Sequence, residues 1–209
     1  MICVSIPVSN TDECLELIQS AAMAEIRIDM AGFDMTAVAH VFSSAKKPLI
    51  ATCRPEIVAD NDRVKLLIHA IQHGAAYVDI EYEASPAIQQ KIIAEAKKYT
   101  CKVIISYHNY STTPSTKELH TIIDSCFNAG ADIAKIATTA LTPNDSARIL
   151  GLYDSYTNLV ALAMGKLGAI TRIANCYLGS PFTFAAINQE QKTAPGQFTV
   201  EEMKLFYSI

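Results

Sequence analysis

A lysine inside an apolar strand is a costly thing to bury, and Lys135 sits in such a run, between Ala134 and Ile136. Desolvation there favours the neutral amine, which can attack a carbonyl carbon and form a Schiff base. The competing reading is a lysine that snorkels to the strand end and pairs with Glu81. Other polar residues punctuate apolar runs in the same way. Glu25, Arg27 and Asp29 alternate with Ala24, Ile26 and Ile28; Thr52 alternates with Arg54, Asp79 with Glu81, and Ser106 with His108. In a strand, alternate residues share a face, so each set points one way while the apolar residues point the other. His108 ends such a run before Asn109–Tyr110. Alone it reads as a core histidine bonded to backbone; beside a reactive lysine it is a natural general acid/base.

These residues need a scaffold that brings many strand ends together. Short Val/Ile/Ala-rich runs alternate with longer amphipathic stretches, the mark of βα units around a parallel sheet. Strands are expected near Ile2–Ile6, Ala24–Asp29, Leu49–Cys53, Tyr77–Glu81, Val103–His108, Ile133–Ile136, Leu159–Ala163 and Phe182–Ala186. Helices are expected over Thr11–Ser20, Asp62–His73, Ser85–Tyr99, Ser115–Ala129, Asn144–Tyr156 and Thr199–Tyr207. Ser115 with Glu118 and Thr199 with Glu202 form capping-box pairs, Asp60–Asn61–Asp62 is expected to cap the helix that follows, and Pro86 and Pro143 open helices. Eight strands with intervening helices imply one α/β domain over residues 1–209, a single (β/α)8 TIM barrel. An open doubly wound sheet is the main competitor, but neither G-x-G-x-x-G nor a P-loop follows an early strand.

Bulk properties narrow the function. Seventeen basic and 21 acidic side chains give a net charge of −4, without basic runs, so neither nucleic acid nor membrane is an expected partner. The apolar runs are strand-sized, and Met1 leads into Ile2–Ile6 without the basic region of a signal peptide. The six cysteines are scattered and form no C-x-x-C, which suits reduced thiols in the cytoplasm. His69 and His73 have the spacing of a helical metal pair but lack a matching third ligand, so no metal is expected. Met23, Met30, Met35, Met164 and Met203 are expected in the core or lining a pocket.

Several segments, in order along nearly the whole chain, resemble type I 3-dehydroquinate dehydratase: Glu25–Asp29 (E-I-R-I-D), Ala51–Arg54 (A-T-C-R), Val78–Glu81 (V-D-I-E), Ile104–Tyr110 (I-I-S-Y-H-N-Y), Ala131–Ala137 (A-D-I-A-K-I-A), Ala163–Ile173 (A-M-G-x-x-G-x-x-T-R-I), Gly179–Ala185 (G-S-P-F-T-F-A) and Ala194–Gln197 (A-P-G-Q). The resemblance implies a (β/α)8-barrel hydro-lyase at the third step of the shikimate pathway, using neither metal nor organic cofactor. It implies that Lys135 forms an imine with the substrate ketone and that His108 is the general acid/base. It assigns Arg172 and Gln197 to the substrate carboxylate. It assigns Glu25, Arg27 and Arg54 to the ring hydroxyls, and Thr193 to a position where many members carry serine. Asp79, Glu81 and Glu56 are candidates for support.

The chain departs from the family pattern after Arg54, where a Gly-rich E-G-G stretch carries a glutamate that positions the base. Pro55–Asp60 stands there instead, leaving Glu56 and Asp60 as alternatives. The chain as given also starts without the N-terminal extension of many members, so either the barrel floor is open or a second subunit of a homodimer covers it. Two rival functions share the pattern in part: another class I Schiff-base enzyme such as an aldolase, and a non-catalytic barrel serving in binding. A fusion to, or association with, shikimate dehydrogenase is a further expectation.

Overall fold

A computed structural model describes residues 1–207. Eight strands alternate with helices along the chain: β1 (Ile2–Ile6), β2 (Met23–Arg27), β3 (Leu49–Thr52), β4 (Tyr77–Glu81), β5 (Lys102–Asn109), β6 (Ile133–Thr139), β7 (Leu159–Met164) and β8 (Thr183–Ala186). The helices are α1 (Thr11–Ser20), α2 (Ile28–Ala31), α3 (Met35–Ser44), α4 (Asp60–Gln72), α5 (Pro86–Lys98), α6 (Thr116–Ala129), α7 (Pro143–Gly151), α8 (Ala169–Ala174) and α9 (Val200–Tyr207). The strands form one sheet in the order β7-β6-β5-β4-β3-β2-β1-β8. Strands taken in sequence order, with β8 beside β1 and a helical segment after each, define the (β/α)8 barrel class. No helix among the described residues is long and apolar enough to cross a membrane.

The chain divides into two compact units, Cys3–Ile104 and Met1–Ile2 with Ile105–Ile209. In the Cys3–Ile104 unit the parallel register aligns Ser5 with Glu25 and Arg27 with Thr52 and Asp79. Ser5, Glu25, Arg27, Thr52, Asp79 and Glu81 therefore share one face of the sheet. Val4, Ile6, Ala24, Ile26, Leu49, Ala51, Val78 and Ile80 occupy the opposite face and are buried. On that side α4 packs on β3 and β4, and α1, α3 and α5 lie in neighbouring positions.

The Ile105–Ile209 unit follows the same rule with different contents. Lys135 aligns with Val160, Ala137 with Leu162 and Thr139 with Met164, so the face that carries the lysine is otherwise largely apolar. β7 ends the sheet order, and the Tyr153 hydroxyl satisfies its main chain there, accepting from Ala161 N at 2.8 Å and donating to Ala161 O at 3.0 Å. That arrangement gives Ala161 main-chain groups a side-chain partner at the end of the sheet order.

The local signals in the sequence operate as expected at several ends. Ser115 and Glu118 form a reciprocal capping box, Pro143 opens α7, and Gly130 ends α6 at φ +107°. Thr199 and Glu202 cap α9 in the same reciprocal way. Three expectations need correction. The strand expected over Ala24–Asp29 stops at Arg27, and Ile28–Ala31 turn helically to a left-handed Gly32; Asp29 reaches Arg27 from that turn and not by strand alternation. Asp60 does not cap α4, whose N-cap is Ala59 without a side-chain bond, because its carboxylate is taken by Arg63. Met30 and Met35 are exposed, whereas Met23, Met164 and Met203 are core residues.

Candidate active site

In the Cys3–Ile104 unit the polar face is a lattice of carboxylates, hydroxyls and guanidinium groups. Glu25 is buried at the centre of β2. Its Oε2 accepts from Ser5 Oγ at 2.6 Å and its Oε1 from Thr52 Oγ1 at 2.9 Å, one hydroxyl from each flanking strand. Arg27 grips Asp29 with Nε at 3.1 Å and Nη2 at 2.7 Å, the side-on pair of the guanidinium fork. Arg54 lies two residues past β3 and divides its two ends between Glu81 Oε1 at 2.7 Å and Asp79 Oδ2 at 3.1 Å. Burial alone would lower the pKa of Arg54, but the carboxylates of Asp79, Glu81 and Glu25 outweigh it and raise the value. Glu56 stands apart on an exposed turn, and Asp60 is committed to Arg63.

The Ile105–Ile209 unit carries the remaining candidates. Lys135 is the third residue of β6, with four strand residues still to follow, and is buried. Its Nζ lies 4.1 Å from the centre of the Phe184 ring on β8. His108 is half-buried near the end of β5, its ring parallel to that of Tyr110 at 6.2 Å. The loop after it is shaped by Asn109, whose Oδ1 accepts from the backbone of Ser111 and Thr112 at 3.0 and 2.9 Å, the turn chemistry of an Asx side chain. Thr113 Oγ1 then meets Thr138 Oγ1 at 2.8 Å, fastening this loop to β6.

Arg172 is the outlier. It is 1% exposed, near the end of the short helix α8, and its Nε and Nη2 have no hydrogen-bond partner among the described residues. These two nitrogens form the same side-on fork that Arg27 fills with Asp29. Burial without a counter-charge lowers the pKa of Arg172 from 12.5 to about 10. The surrounding structure holds it in place. Its carbonyl accepts from Thr183 Oγ1 at 3.0 Å and from the Tyr207 hydroxyl at 3.3 Å. Upstream, Gly168 lies so close to β7 that a Cβ there would come within 2.4 Å of the Ala163 carbonyl. Two donors of a guanidinium are thus left without a partner among the described residues, in a tightly fixed setting.

Gln197 is buried and its Oε1 accepts from Thr193 N at 2.9 Å and Thr193 Oγ1 at 3.1 Å. With the oxygen held, the amide presents Nε2 as its remaining donor. The segment is seated by Gly165 N donating to Pro195 O, and Gly196, at φ +71°, has room only for hydrogen, since a Cβ would lie 2.7 Å from Gly165 O.

The family model for type I 3-dehydroquinase matches residues 2–209. The chain belongs to the type I 3-dehydroquinase family. A curated 3-dehydroquinate dehydratase of Dehalococcoides mccartyi (strain ATCC BAA-2266 / KCTC 15142 / 195) is 34% identical over 203 residues, spanning 93% of this chain and 89% of that protein. The crystal structure of 3-dehydroquinate dehydratase from Aquifex aeolicus VF5 superposes with a TM-score of 0.86 at 28% identity, covering 100% of this chain and 97% of the other. The structure of dehydroquinate dehydratase and shikimate dehydrogenase from S. pombe AroM shares the fold, with a TM-score of 0.81 at 22% identity, covering 97% of this chain and 43% of that one.

Two residues with clear structural work carried no sequence signal of their own. Ser5 shares the alternation of β1, but a serine in a strand is unremarked without its Glu25 partner. Arg63 lies in the amphipathic α4 among charged neighbours, and only folding reveals that it points inward.

Proposed function

We propose that this chain is a 3-dehydroquinate dehydratase that works through a Schiff base on Lys135. The observation that carries the reading is the empty side-on fork of buried Arg172, in the same unit as Lys135. It calls for a carboxylate on the substrate, as 3-dehydroquinate has; the family supplies the rest of the substrate's identity. The Lys135 amine adds to the substrate ketone and water leaves, giving a cationic imine. That imine withdraws electrons and makes the neighbouring C–H acidic. His108 takes this proton and returns it to the departing hydroxyl, which leaves as water. Hydrolysis of the imine frees 3-dehydroshikimate and restores the amine, so the net change is loss of one water. Arg172 and the Nε2 of Gln197 hold the carboxylate; Thr193 keeps the Gln197 amide turned the right way.

Glu25, Arg27 and Arg54 serve the ring hydroxyls in this reading, with Asp79 and Glu81 fixing Arg54. The reaction is the third step of the shikimate pathway, and the sharing of a chain with shikimate dehydrogenase in S. pombe AroM makes that enzyme a reasonable partner. Residues 179–197 resemble the family's lid, but Thr183–Ala186 are the buried strand β8, so only the loop after it, residues 187–197, is left to act as a lid whose closure keeps water from the imine.

The test is to incubate the protein with 3-dehydroquinate and borohydride and map the added mass by peptide mass spectrometry. Irreversible labelling of Lys135 is expected. Labelling elsewhere, or none, together with no ultraviolet signal from conjugated product, overturns the reading.

A further inference from the structure

Arg63 sits in the first turn of α4 and is 1% exposed, one of the largest fully buried side chains. A guanidinium ion out of water costs several kcal/mol unless its donors are met. Here Nε and Nη2 both bond Asp60 Oδ1, at 3.2 and 2.8 Å, and Nη1 bonds Glu81 Oε2. The other oxygen of Glu81 accepts from Arg54 at 2.7 Å, and Arg54 continues to Asp79 at 3.1 Å. The result is a chain of five alternating charges, Asp60–Arg63–Glu81–Arg54–Asp79, that starts at an exposed carboxylate and ends at a fully buried one.

The order of these residues along the backbone gives the chain a purpose. Arg54 immediately precedes the Pro55–Asp60 segment that departs from the family pattern, and Asp60 closes it. Both are tied to Glu81, one directly and the other through Arg63. Between them, Ile57 N and Val58 N donate to Arg54 O at 3.4 and 3.3 Å. The segment is a small loop closed on a single carboxylate.

We propose that Arg63 is a positioning residue: by occupying Glu81 Oε2 and holding Asp60, it fixes the plane of the Glu81 carboxylate and so the direction in which Arg54 presents its guanidinium to substrate. The substrate named rests on the dehydratase reading above; the latch itself does not. Without Arg63, Glu81 loses the partner on Oε2 and can turn about the other, and the Nη1 end of Arg54 that it holds shifts while Asp79 keeps the Nη2 end.

The test compares wild type with Arg63→Met, Arg63→Lys, Arg54→Lys and the Arg63→Met/Arg54→Lys double variant. Arg63→Met is expected to raise KM about 10-fold while kcat changes less than about 3-fold, as loss of a binding interaction predicts. Arg63→Lys recovers part of the loss, because an ammonium still meets Glu81 but cannot fork onto Asp60. The double variant should bind no worse than Arg54→Lys alone, since Arg63 acts through Arg54. Unchanged KM in Arg63→Met, or fully additive losses in the double variant, overturns the proposal. Should Arg63→Met fail to fold, Asp60→Asn loosens the same chain from its exposed end. Hydrogen exchange at the Ile57 and Val58 amides is then the readout and needs no substrate. Faster exchange supports the latch, and unchanged exchange overturns it. A wild-type protein that does not dehydrate 3-dehydroquinate would sink the functional reading, while the exchange result would still decide the latch.

Discussion

In the Cys3–Ile104 unit, Arg27, Arg54 and Arg63 each grip a carboxylate, and Glu81 serves two of them. In the Ile105–Ile209 unit, Arg172 is as deeply buried as Arg63 and its fork grips nothing among the described residues. Lys135 there shares its sheet face with Val160 and Leu162 and lies against Phe184. The same sheet architecture thus holds two kinds of charge. One unit pairs its charges with one another. The other leaves a cation with part of its desolvation cost unrelieved, as the proposed carboxylate-binding role requires. Stability and function pull in opposite directions at Arg172 and in the same direction at Glu81.

The largest test of this contrast is Lys135→Ala, which should reduce dehydration of 3-dehydroquinate to the uncatalysed level in an ultraviolet assay. Wild-type turnover in that variant would remove the reacting group from this unit. His108→Ala should still form a borohydride-trappable imine but release product about 10²–10⁴-fold more slowly; a normal single-turnover rate would mean that another group moves the proton. Arg172→Met should lower kcat/KM by about 10²–10³-fold, chiefly through KM, since a charge-assisted bidentate pair with the substrate is lost.

The same Arg172 variant should melt higher than wild type. Its folded-state pKa of about 10 lies below the ordinary 12.5, so the unfolded chain holds its proton more tightly. The buried charge therefore lowers stability at every pH below about 10, by an amount on the order of 3 kcal/mol, and the cost is relieved only as pH rises through that range. Arg172→Met at neutral pH should accordingly raise Tm, by about 2–4 °C for each kcal/mol recovered and about 6–12 °C if the whole cost is recovered. Glu81→Gln should do the reverse, losing about 3–5 kcal/mol because two guanidinium groups lose their shared counter-charge. If thermal melts showed both variants moving Tm the same way, the distinction between the two units would fail. The smallest effect is expected for Thr193→Val. Losing one hydroxyl contact to Gln197, worth about 0.5–1.5 kcal/mol, should raise KM about 3–10-fold with little change in kcat.

Much of this was readable from residue order. Alternation in β2, β3 and β4 correctly put Glu25, Thr52, Asp79 and Glu81 on one face, because period-2 geometry needs no tertiary information. It misplaced Asp29, since nothing in Ile28–Ala31 announces that the backbone leaves the strand after Arg27. Lys135 stood out because its flanks are apolar, but its strand runs to Thr139, further than the expected Ile136, so the lysine is set deeper than a strand-end residue. Arg63 was invisible for the opposite reason: a charged residue in an amphipathic helix looks solvent-facing until its partners are known.

The sequence by itself determined the βα alternation, the polar face of the strands, the capping boxes of α6 and α9 and the family, because each is written in local periodicity or in ordered short motifs. Only the tertiary structure decided how the charges are matched. Which guanidinium meets a carboxylate and which is left open depends on strand register and on helices that bring residues about 20 positions apart, such as Arg63 and Glu81, within one hydrogen bond. Charge pairing is set by three-dimensional distance, and no one-dimensional pattern encodes it.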